Sequence, residues 1–316
     1  MRAVIFDSFG GSEKLRIADV PTPEPQRGEV QIRVAYTSVN PVDWKIREGH
    51  LVELLPHHFP IIPGWDVAGT VSAIGPGVKA FHVGDQVYAY ARKPEVQWGT
   101  YAEYVCLDEA AVARKPKTLS FAQAAGIPLT ALTAWQALFD FAALQEGETV
   151  LIHAGAGGVG SMAIQFAKQA GAKVITTASA KNHAYVSELG ADEVIDYTQT
   201  SVPALIKKQY PLGLDIVFDC AGGKALDESY DLLRSEGRLV SIVETPNPKK
   251  AEAAQLKAGF VFVSPNSAQL KKIADLVDSG VVLPQHTTER PLEEAAAAQD
   301  ENEQRHVRGK VVLKVN

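Results

Sequence analysis

Cysteine is scarce in this sequence, which limits its chemistry. Only Cys106 and Cys220 occur in 316 residues. Two thiols are too few for a disulfide framework or a four-thiolate zinc lobe, so the chain suits a reducing, cytoplasmic environment. A chain of this length needs no such cross-links for a core, because folding hides about three quarters of its unfolded surface.

Long apolar runs and blocks of like charge are also missing. No stretch reaches the roughly 18 apolar residues of a membrane span, and the N-terminal MRAVIFDSFG lacks the apolar segment of a signal peptide. The net charge is -6, and the basic residues form nothing longer than pairs such as Lys207-Lys208. We therefore predict a soluble cytoplasmic protein with neither a membrane segment nor a nucleic-acid partner.

Two hydrophobic patterns predict an α/β protein with two domains. Residues 1–123 carry short β-branched runs separated by Pro and Gly, and Ser120 with Gln123 forms a capping box that opens helical spacing. Strands and helices then alternate over 124–264, which predicts a parallel sheet with helices on both faces. Within it we predict a helix over 224–237 and a last strand over 260–264. Residues 265–316 add two helices and a final strand.

The sequence HAGAGGVG over 153–160 has four glycines in six residues, between the strand VLIHA and a helix. Gly155, Gly157 and Gly160 satisfy GxGxxG in the setting that makes this motif specific for dinucleotides. The first glycine allows a tight turn, the second lets amides approach a pyrophosphate, and the third brings the helix against the sheet. A glycine-rich turn that merely packs is the alternative. The candidate phosphate-binding residues are Gly155, Ala156, Gly157, Gly158, Val159 and Gly160.

The end of the next strand favours NADPH over NADH. NAD-specific relatives of this fold usually place an acid there to bind the ribose hydroxyl. Here TTASAKN offers Ser179 and Lys181 and no carboxylate that would repel a 2'-phosphate. A solvated lysine at the start of a helix is the alternative interpretation of Lys181.

With these features the chain resembles the medium-chain dehydrogenase/reductase superfamily, and within it the zinc-free quinone oxidoreductase branch. NPVDWK is similar to the subgroup of chloroplast-envelope quinone oxidoreductase homologues. The motifs that carry the resemblance are SVNPVDWKIREG (38–49), PGWDVAGTVSAIGPGVKAFHVGDQV (63–87), GTYAEYV (99–105), PLTALTAW (128–135), HAGAGGVG (153–160) and GKVVL (309–313).

The resemblance implies a GroES-like catalytic domain built from both chain ends, 1–123 and 265–316, and a Rossmann NADP-binding domain over 124–264. It implies a substrate site in the cleft between the domains. It also implies a homodimer paired through the last Rossmann strand, near 260–264.

The resemblance further implies chemistry without a metal. Zinc-dependent relatives carry their catalytic ligands where this chain has Asn40, Trp65 and Leu129, and none of these can act as that ligand. Such relatives polarise an alcohol with the metal, so we expect no alcohol dehydrogenase and no bound metal.

By the same resemblance, Ser179, Lys181 and Tyr197 match positions that hold the 2'-phosphate. Thr130 matches a helix threonine that approaches the nicotinamide ribose, although its hydroxyl could equally bond back to its own helix. Backbone near Ile242 and Val263 is expected to meet the nicotinamide.

A hydride donor without a Lewis acid suits a substrate that is already electrophilic, such as a quinone or an α,β-unsaturated carbonyl. Lys45 replaces a tyrosine common in the branch, and leucine stands at 51, where related enoyl reductases carry an acid tyrosine. Lys45 is then the cationic donor, with Asn40 on the same loop and Asp43 orienting Lys45 from one side of an extended segment. A solvated ion pair between Asp43 and Lys45 is the alternative.

Trp44 and Trp65 are candidate walls of a substrate pocket, or plain core residues. The predicted function is an NADPH-dependent quinone or enone reductase. The alternative is a redox-sensing or structural protein that binds NADPH with little turnover.

Overall fold

The computed structural model describes residues 1–304 and 307–316 and divides the chain into two compact units. Unit 1 contains both chain ends and comprises Met1–Leu129, Ser264–Gly280 and Pro284–Asn316. Unit 2 comprises Thr130–Val263 and Val281–Leu283. The expected construction of one unit from both ends of the chain is confirmed.

The strands are β1 (Arg2–Ile5), β2 (Arg16–Asp19), β3 (Glu29–Ser38), β4 (His57–Ile62), β5 (Asp66–Ile74), β6 (Gln86–Tyr90), β7 (Val96–Trp98), β8 (Tyr104–Asp108), β9 (Val112–Arg114), β10 (Thr149–Ile152), β11 (Lys173–Thr177), β12 (Glu193–Ile195), β13 (Leu214–Asp219), β14 (Leu233–Ser241), β15 (Lys257–Phe260), β16 (Thr287–Pro291) and β17 (Lys310–Lys314). The α-helices are α1 (Pro41–Arg47), α2 (Phe121–Ala125), α3 (Pro128–Trp135), α4 (Gly158–Gln169), α5 (His183–Glu188), α6 (Val202–Gln209), α7 (Lys224–Ser229), α8 (Pro248–Ala253), α9 (Ser267–Asp278) and α10 (Ala295–Glu303).

Unit 1 is built on a seven-stranded sheet with the order β16-β17-β3-β5-β6-β9, and β8 also pairs with β3. Alternate residues of β3 point into the core, where Val30, Ile32 and Val34 are fully buried. That alternation is the period of a strand with one face in the core. Two further pairs, β1-β2 and β4-β7, complete the strands of the unit. The C-terminal strand β17 pairs antiparallel with β3, which ties both chain ends into one sheet.

Unit 2 is a parallel sheet with the order β12-β11-β10-β13-β14-β15. Its core includes Leu151, Ile175 and Val217 from the three central strands, all fully buried. Strand order reverses direction beside β10, where Rossmann sheets bind dinucleotides. The α/β class and the Rossmann sheet predicted from sequence are confirmed.

The predicted capping box is present at the start of α2. The amide of Gln123 donates to Ser120 Oγ at 3.2 Å, and the Gln123 side chain accepts the amide of Ser120 at 3.1 Å. Beyond α3 the helical stretch continues as a π-helical turn, Gln136–Phe141.

Two predicted elements in unit 2 are wrong in extent. The helix expected over 224–237 ends at Ser229, and a short 3-10 turn leads into β14 at Leu233. The last strand was expected over 260–264, yet β15 spans Lys257–Phe260 in register with β14. A Cβ on Gly259 would lie 2.6 Å from the ring of Phe141, so this strand needs a glycine that a strand pattern disfavours.

Among the described residues, no helix is both long and apolar enough to cross a bilayer.

Candidate functional site

The glycine-rich turn joins β10 to α4 in unit 2. A Cβ on Gly155 would lie 2.0 Å from Thr176 Oγ1, and one on Gly160 would lie 2.4 Å from the Ala154 carbonyl oxygen. These two glycines therefore permit close packing of the turn against β11 and of α4 against the turn. The contact of Gly160 agrees with the close packing expected of the third glycine, whereas that of Gly155 is packing on β11 and does not test its predicted role in a tight turn.

Gly157 differs from its neighbours because it is not packed. A Cβ there would meet only the Ala154 carbonyl oxygen, at an ordinary 3.4 Å. Gly157 is the N-cap of α4, a 12-residue helix whose first amides and partial positive charge are available to an anion. Open backbone at the N-terminus of a helix fits a dinucleotide pyrophosphate.

Thr177 and His153 stabilise this turn through hydrogen bonds. The amide of Ala154, a residue with a left-handed φ of 55°, donates to Thr177 Oγ1 at 3.0 Å. Buried His153 contacts Thr177 Oγ1 at 3.5 Å through Nδ1 and Ser229 Oγ at 3.2 Å through Nε2. Burial lowers the pKa of His153, so the imidazole is neutral. Neither role was predicted from the sequence: His153 was quoted only within VLIHA and HAGAGGVG and Thr177 only as part of TTASAKN, and neither is a glycine of GxGxxG.

The residues matched to the 2'-phosphate lie at the same edge of the sheet. Ser179 and Lys181 follow β11, and Tyr197 follows β12, its parallel neighbour. Lys181 is exposed, as is Tyr197 at 57%. Asp196 also follows β12 there, and its Oδ1 accepts the amide and hydroxyl of Thr198 at 2.9 and 2.6 Å.

The backbone expected near the nicotinamide follows β14 and β15 at this edge. Ile242 comes directly after β14, and its amide donates to the Asp219 carbonyl oxygen at 3.2 Å. Val263, three residues after β15, is buried. Thr130 lies in the first turn of α3 and is also buried. The sheet thus brings the glycine turn, the two loops matched to the 2'-phosphate and Ile242 to the carboxyl ends of parallel strands, where such sheets bind ligands.

The structure of residues 40–47 in unit 1 differs from the expected relation between Asp43 and Lys45. The segment is not extended, because Pro41–Arg47 forms helix α1, and residues two apart on a helix do not face each other. Asp43 is fully buried, so a solvated pair with Lys45 is also wrong. Asp43 Oδ2 instead accepts the Asn40 amide at 2.7 Å and the Tyr101 hydroxyl at 3.1 Å. Lys45 is half-buried, with Nζ 5.7 Å from the ring centre of Trp44.

A buried polar cluster, made of Asn40, Asp66, Lys310 and Ser38, lies at the start of α1. Lys310 Nζ donates to Asn40 Oδ1 at 2.6 Å, and Asn40 Nδ2 donates to Asp66 Oδ2 at 2.8 Å. Burial lowers the pKa of Lys310 and raises that of Asp66. The Asn40 side chain is a bridge between two buried charges, and its role toward substrate stays a prediction. Lys310 and Asp66 lie in motifs quoted from the sequence, but their partners are distant in the chain.

Two of the three positions matched to zinc ligands, Asn40 and Leu129, are joined by a carboxylate. Asp66 Oδ1 accepts the Leu129 amide at 2.7 Å while its Oδ2 accepts from Asn40. Residues 1–304 and 307–316 contain no group of three or more His, Cys, Asp or Glu side chains that could hold a metal ion.

Both candidate tryptophans are buried. Trp65 packs edge-to-face on Tyr90 at 6.0 Å and lines a small pocket with Ile46, Ile62 and Trp98. Trp44 packs edge-to-face on His50 at 5.9 Å. Trp65 therefore lies in the core and on the wall of this small pocket, and its contact with substrate stays a prediction.

Comparison with known proteins adds family information. A family model described as alcohol dehydrogenase GroES-like domain matches residues 26–117, and one described as zinc-binding dehydrogenase matches residues 189–313. The chloroplast envelope quinone oxidoreductase homolog of Arabidopsis thaliana is 35% identical over 325 residues, covering 99% of this chain and 98% of its own length. The chloroplastic NADPH-dependent alkenal/one oxidoreductase of the same plant is 35% identical and covers 99% and 79%.

Two solved structures of quinone oxidoreductases are similar to almost the whole chain. The quinone oxidoreductase from Coxiella burnetii is 36% identical with a TM-score of 0.89, covering 100% of this chain and 99% of its own. The Escherichia coli quinone oxidoreductase complexed with NADPH is 27% identical with a TM-score of 0.89, covering 99% and 100%.

A GroES-like unit together with a Rossmann unit defines the class of medium-chain dehydrogenases and reductases, oxidoreductases that use a nicotinamide cofactor. The chain belongs to that superfamily, in its zinc-free quinone oxidoreductase branch. The resemblance stated from the sequence motifs is confirmed.

Proposed function

We propose that the protein is a zinc-independent, NADPH-dependent reductase of quinones or α,β-unsaturated carbonyl compounds. The observation that carries the proposal is the sheet edge at which open backbone at Gly157 lies beside the loop after β11. That loop carries Ser179 and Lys181 and no acid of its own, and Asp196 on the next loop is engaged by Thr198. The names of two relatives, a quinone oxidoreductase homolog and an NADPH-dependent alkenal/one oxidoreductase, support the substrate class.

The cofactor would be held by the chain's own backbone and a few side chains. Amides at the start of α4 would bind the pyrophosphate, since Gly157 leaves them accessible. Lys181 and Ser179, with Tyr197 on the next loop, would bind the 2'-phosphate. When bound, the reduced nicotinamide supplies a hydride.

Lys45 would stabilise the charge that develops on the substrate oxygen. A conjugated carbonyl or quinone gains negative charge on oxygen as its carbon is reduced, and a fixed cation beside that oxygen lowers the barrier. Lys45 is half-buried on α1, and Asp43 caps the first turn of that helix. The capped helix fixes the backbone of Lys45 and so helps to orient its ammonium group toward the substrate oxygen. The proton and donor functions that a tyrosine provides elsewhere in the branch are missing at 45 and 51, and Leu51 is buried.

The absence of that tyrosine also supports the second candidate, a protein that binds NADPH as a sensor and turns over little. The rate of NADPH oxidation with an electrophilic substrate separates the reductase from the sensor. We propose a cytoplasmic homodimer for either function, paired along the edge strand β15 and the residues that follow it. Phe260 at the end of β15 and Phe262 two residues later are 38% and 37% exposed. Light scattering of the purified protein tests the dimer, and a monomer at micromolar concentration would contradict it.

A substrate screen of chelator-treated protein tests the proposed function. Quinones, 2-alkenals and cyclic enones are each offered with NADPH and with NADH, and primary alcohols with NADP+ serve as the control. We expect NADPH oxidation with an electrophilic substrate, little with NADH, and no loss on chelation. Alcohol oxidation that requires stoichiometric zinc would refute the proposal, and tight NADPH binding without turnover would favour the sensor.

A further inference from the structure

Three ionisable side chains are buried together in unit 1. Asp43 and Asp66 are fully buried, and Lys310 is 4% exposed. With all three ionised, the group would hold one uncompensated negative charge away from water. Burying an unpaired charge is costly enough that such groups usually take up or release a proton. One carboxyl of the two is therefore expected to be neutral.

Both carboxyl oxygens of Asp66 accept hydrogen bonds. Its Oδ1 accepts the Leu129 amide at 2.7 Å. Its Oδ2 accepts Asn40 Nδ2 at 2.8 Å and the Ser38 hydroxyl at 2.6 Å. Three donors on two oxygens favour the ionised carboxylate, in opposition to the effect of burial.

Lys310 provides the matching positive charge. Its Nζ donates to the Val39 carbonyl oxygen and to Asn40 Oδ1, both at 2.6 Å. Both are acceptors, so the ammonium form fits this site. The Asn40 amide thus links Lys310 to Asp66, and the opposite charges of the two side chains attract each other across it.

Asp43 has the one unoccupied carboxyl oxygen of the group. Both donors that it accepts from, the Asn40 amide and the Tyr101 hydroxyl, bind Oδ2. No hydrogen-bond partner of Asp43 Oδ1 occurs in the part of the chain that the structure describes. A proton fits on Oδ1 without displacing any donor.

We propose that Asp43 serves the reaction as a neutral carboxylic acid, with its proton on Oδ1, so that no buried negative charge accompanies Lys45 on α1. This inference rests on the proposed function, because it assigns how α1 supports the reduced oxygen of the substrate. An ionised Asp43 would place a negative charge two residues from Lys45 in surroundings of low dielectric, where it would offset the cation's effect on that oxygen. Asp43 is thus a positioning residue that keeps the charge on α1 positive.

The surroundings of Asp43 agree with this state. Burial raises the pKa of Asp43 to about 7, with Asp66 acting in the same direction and Lys310 and the donors from Asn40 and Tyr101 opposing it. Tyr90, on β6, also lies close enough to interact electrostatically with Asp43. Near pH 7 the Asp43 carboxyl is about half protonated, and above pH 7 the ionised carboxylate predominates.

Two substitutions separate a neutral acid from a charged carboxylate or a proton donor. Asp43→Asn copies the size and the acceptor oxygen of the neutral acid, whereas Asp43→Ala removes the acceptor. We expect kcat of the wild type to fall as the pH rises above 7, and the Asp43→Asn variant to replace this decline with a flat profile that exceeds wild type at pH 9. Asp43→Ala should be the weaker variant at every pH. If Asp43→Asn loses about 100-fold or more at pH 6 while it binds NADPH normally, Asp43 is a proton donor or a required charge, because general acids contribute about 10²- to 10⁴-fold, and the proposal fails.

Infrared spectra of substrate-free protein provide a test independent of turnover. With aspartate labelled by carbon-13, we expect a protonated-carboxyl band at pH 6 that disappears with rising pH and is missing from the Asp43→Asn variant. Identical bands in both proteins would overturn the assignment. If the wild-type protein shows the protonated-carboxyl band but no turnover, the proposed function is contradicted. If it turns over substrate without showing the band, only the role of Asp43 is contradicted.

Discussion

Replacing Gly157 with alanine should separate cofactor binding from folding. Its φ of -77° and ψ of 174° are open to any residue, and the new Cβ would lie no closer than 3.4 Å to another atom. Alanine is a poorer N-cap than glycine, but it also loses less chain entropy on folding. Because these effects oppose each other, we expect the unfolding free energy to stay within about 1 kcal/mol of wild type.

Cofactor affinity should fall much further. If the pyrophosphate binds at this turn as proposed, a methyl group at 157 would occupy the space through which a phosphate reaches the amides of α4. Loss of one charge-assisted hydrogen bond costs about 1.5 to 3 kcal/mol. This corresponds to roughly a tenfold to hundredfold rise in the Kd for NADPH.

Gly155→Ala is the matched control. Its Cβ would lie 2.0 Å from Thr176 Oγ1, so this variant should lose about 1 to 3 kcal/mol of stability through overpacking. Calorimetric titration with NADPH and urea unfolding measure the two properties. Normal NADPH affinity in Gly157→Ala, or instability equal to that of Gly155→Ala, would refute the assignment of Gly157 to the pyrophosphate.

Three further variants test other parts of the account. Lys181→Ala should raise the Kd for NADPH about tenfold to a hundredfold and leave that for NADH unchanged; equal losses in a titration would contradict the 2'-phosphate contact. Lys45→Met should lower kcat about 10²- to 10³-fold with normal NADPH binding, and a rate near wild type would show that Lys45 is not the donor. The pKa of Asp43 rises from 3.8 to about 7 on folding, so its stabilising contribution is complete below about pH 4 and is lost as the pH rises through about 7. Asp43→Asn avoids that loss, and between pH 5 and pH 8 its unfolding free energy should gain about 2 to 3 kcal/mol on wild type, because that interval covers about two of the three pH units. Urea unfolding at both pH values measures this gain, and a constant difference would exclude the titration.

The sequence was most informative where a pattern is local. Alternating strands and helices predicted the Rossmann sheet, and GxGxxG predicted the turn between β10 and α4, because each signal is contained in a few consecutive residues. The extent of strand β15 was predicted wrongly because Gly259, which is disfavoured in a strand, packs against the ring of Phe141, more than a hundred residues earlier. Such a contact leaves no trace in local propensity.

The candidate site shows the same limit. Asp43 and Lys45 were judged by spacing along an extended segment, but Pro41 after Asn40 begins a helix, which turns these side chains in different directions. Lys310 and Asp66 could not be paired from sequence, since their bridge through Asn40 joins segments brought together only by the antiparallel pairing of β17 with β3 and of β3 with β5. A long-range cluster of buried charges requires the fold before it can be recognised.

Deuterium transfer is the most direct test of the central claim that hydride reaches an electrophilic carbon without a metal. Chelator-treated protein is given NADPH deuterated at the transferring position of the nicotinamide together with a cyclic enone, and the product is examined by mass spectrometry and NMR. We predict a saturated ketone with one deuterium at the carbon β to the carbonyl. Deuterium on the carbonyl carbon of an alcohol product, or transfer that returns only when zinc is restored, would contradict it.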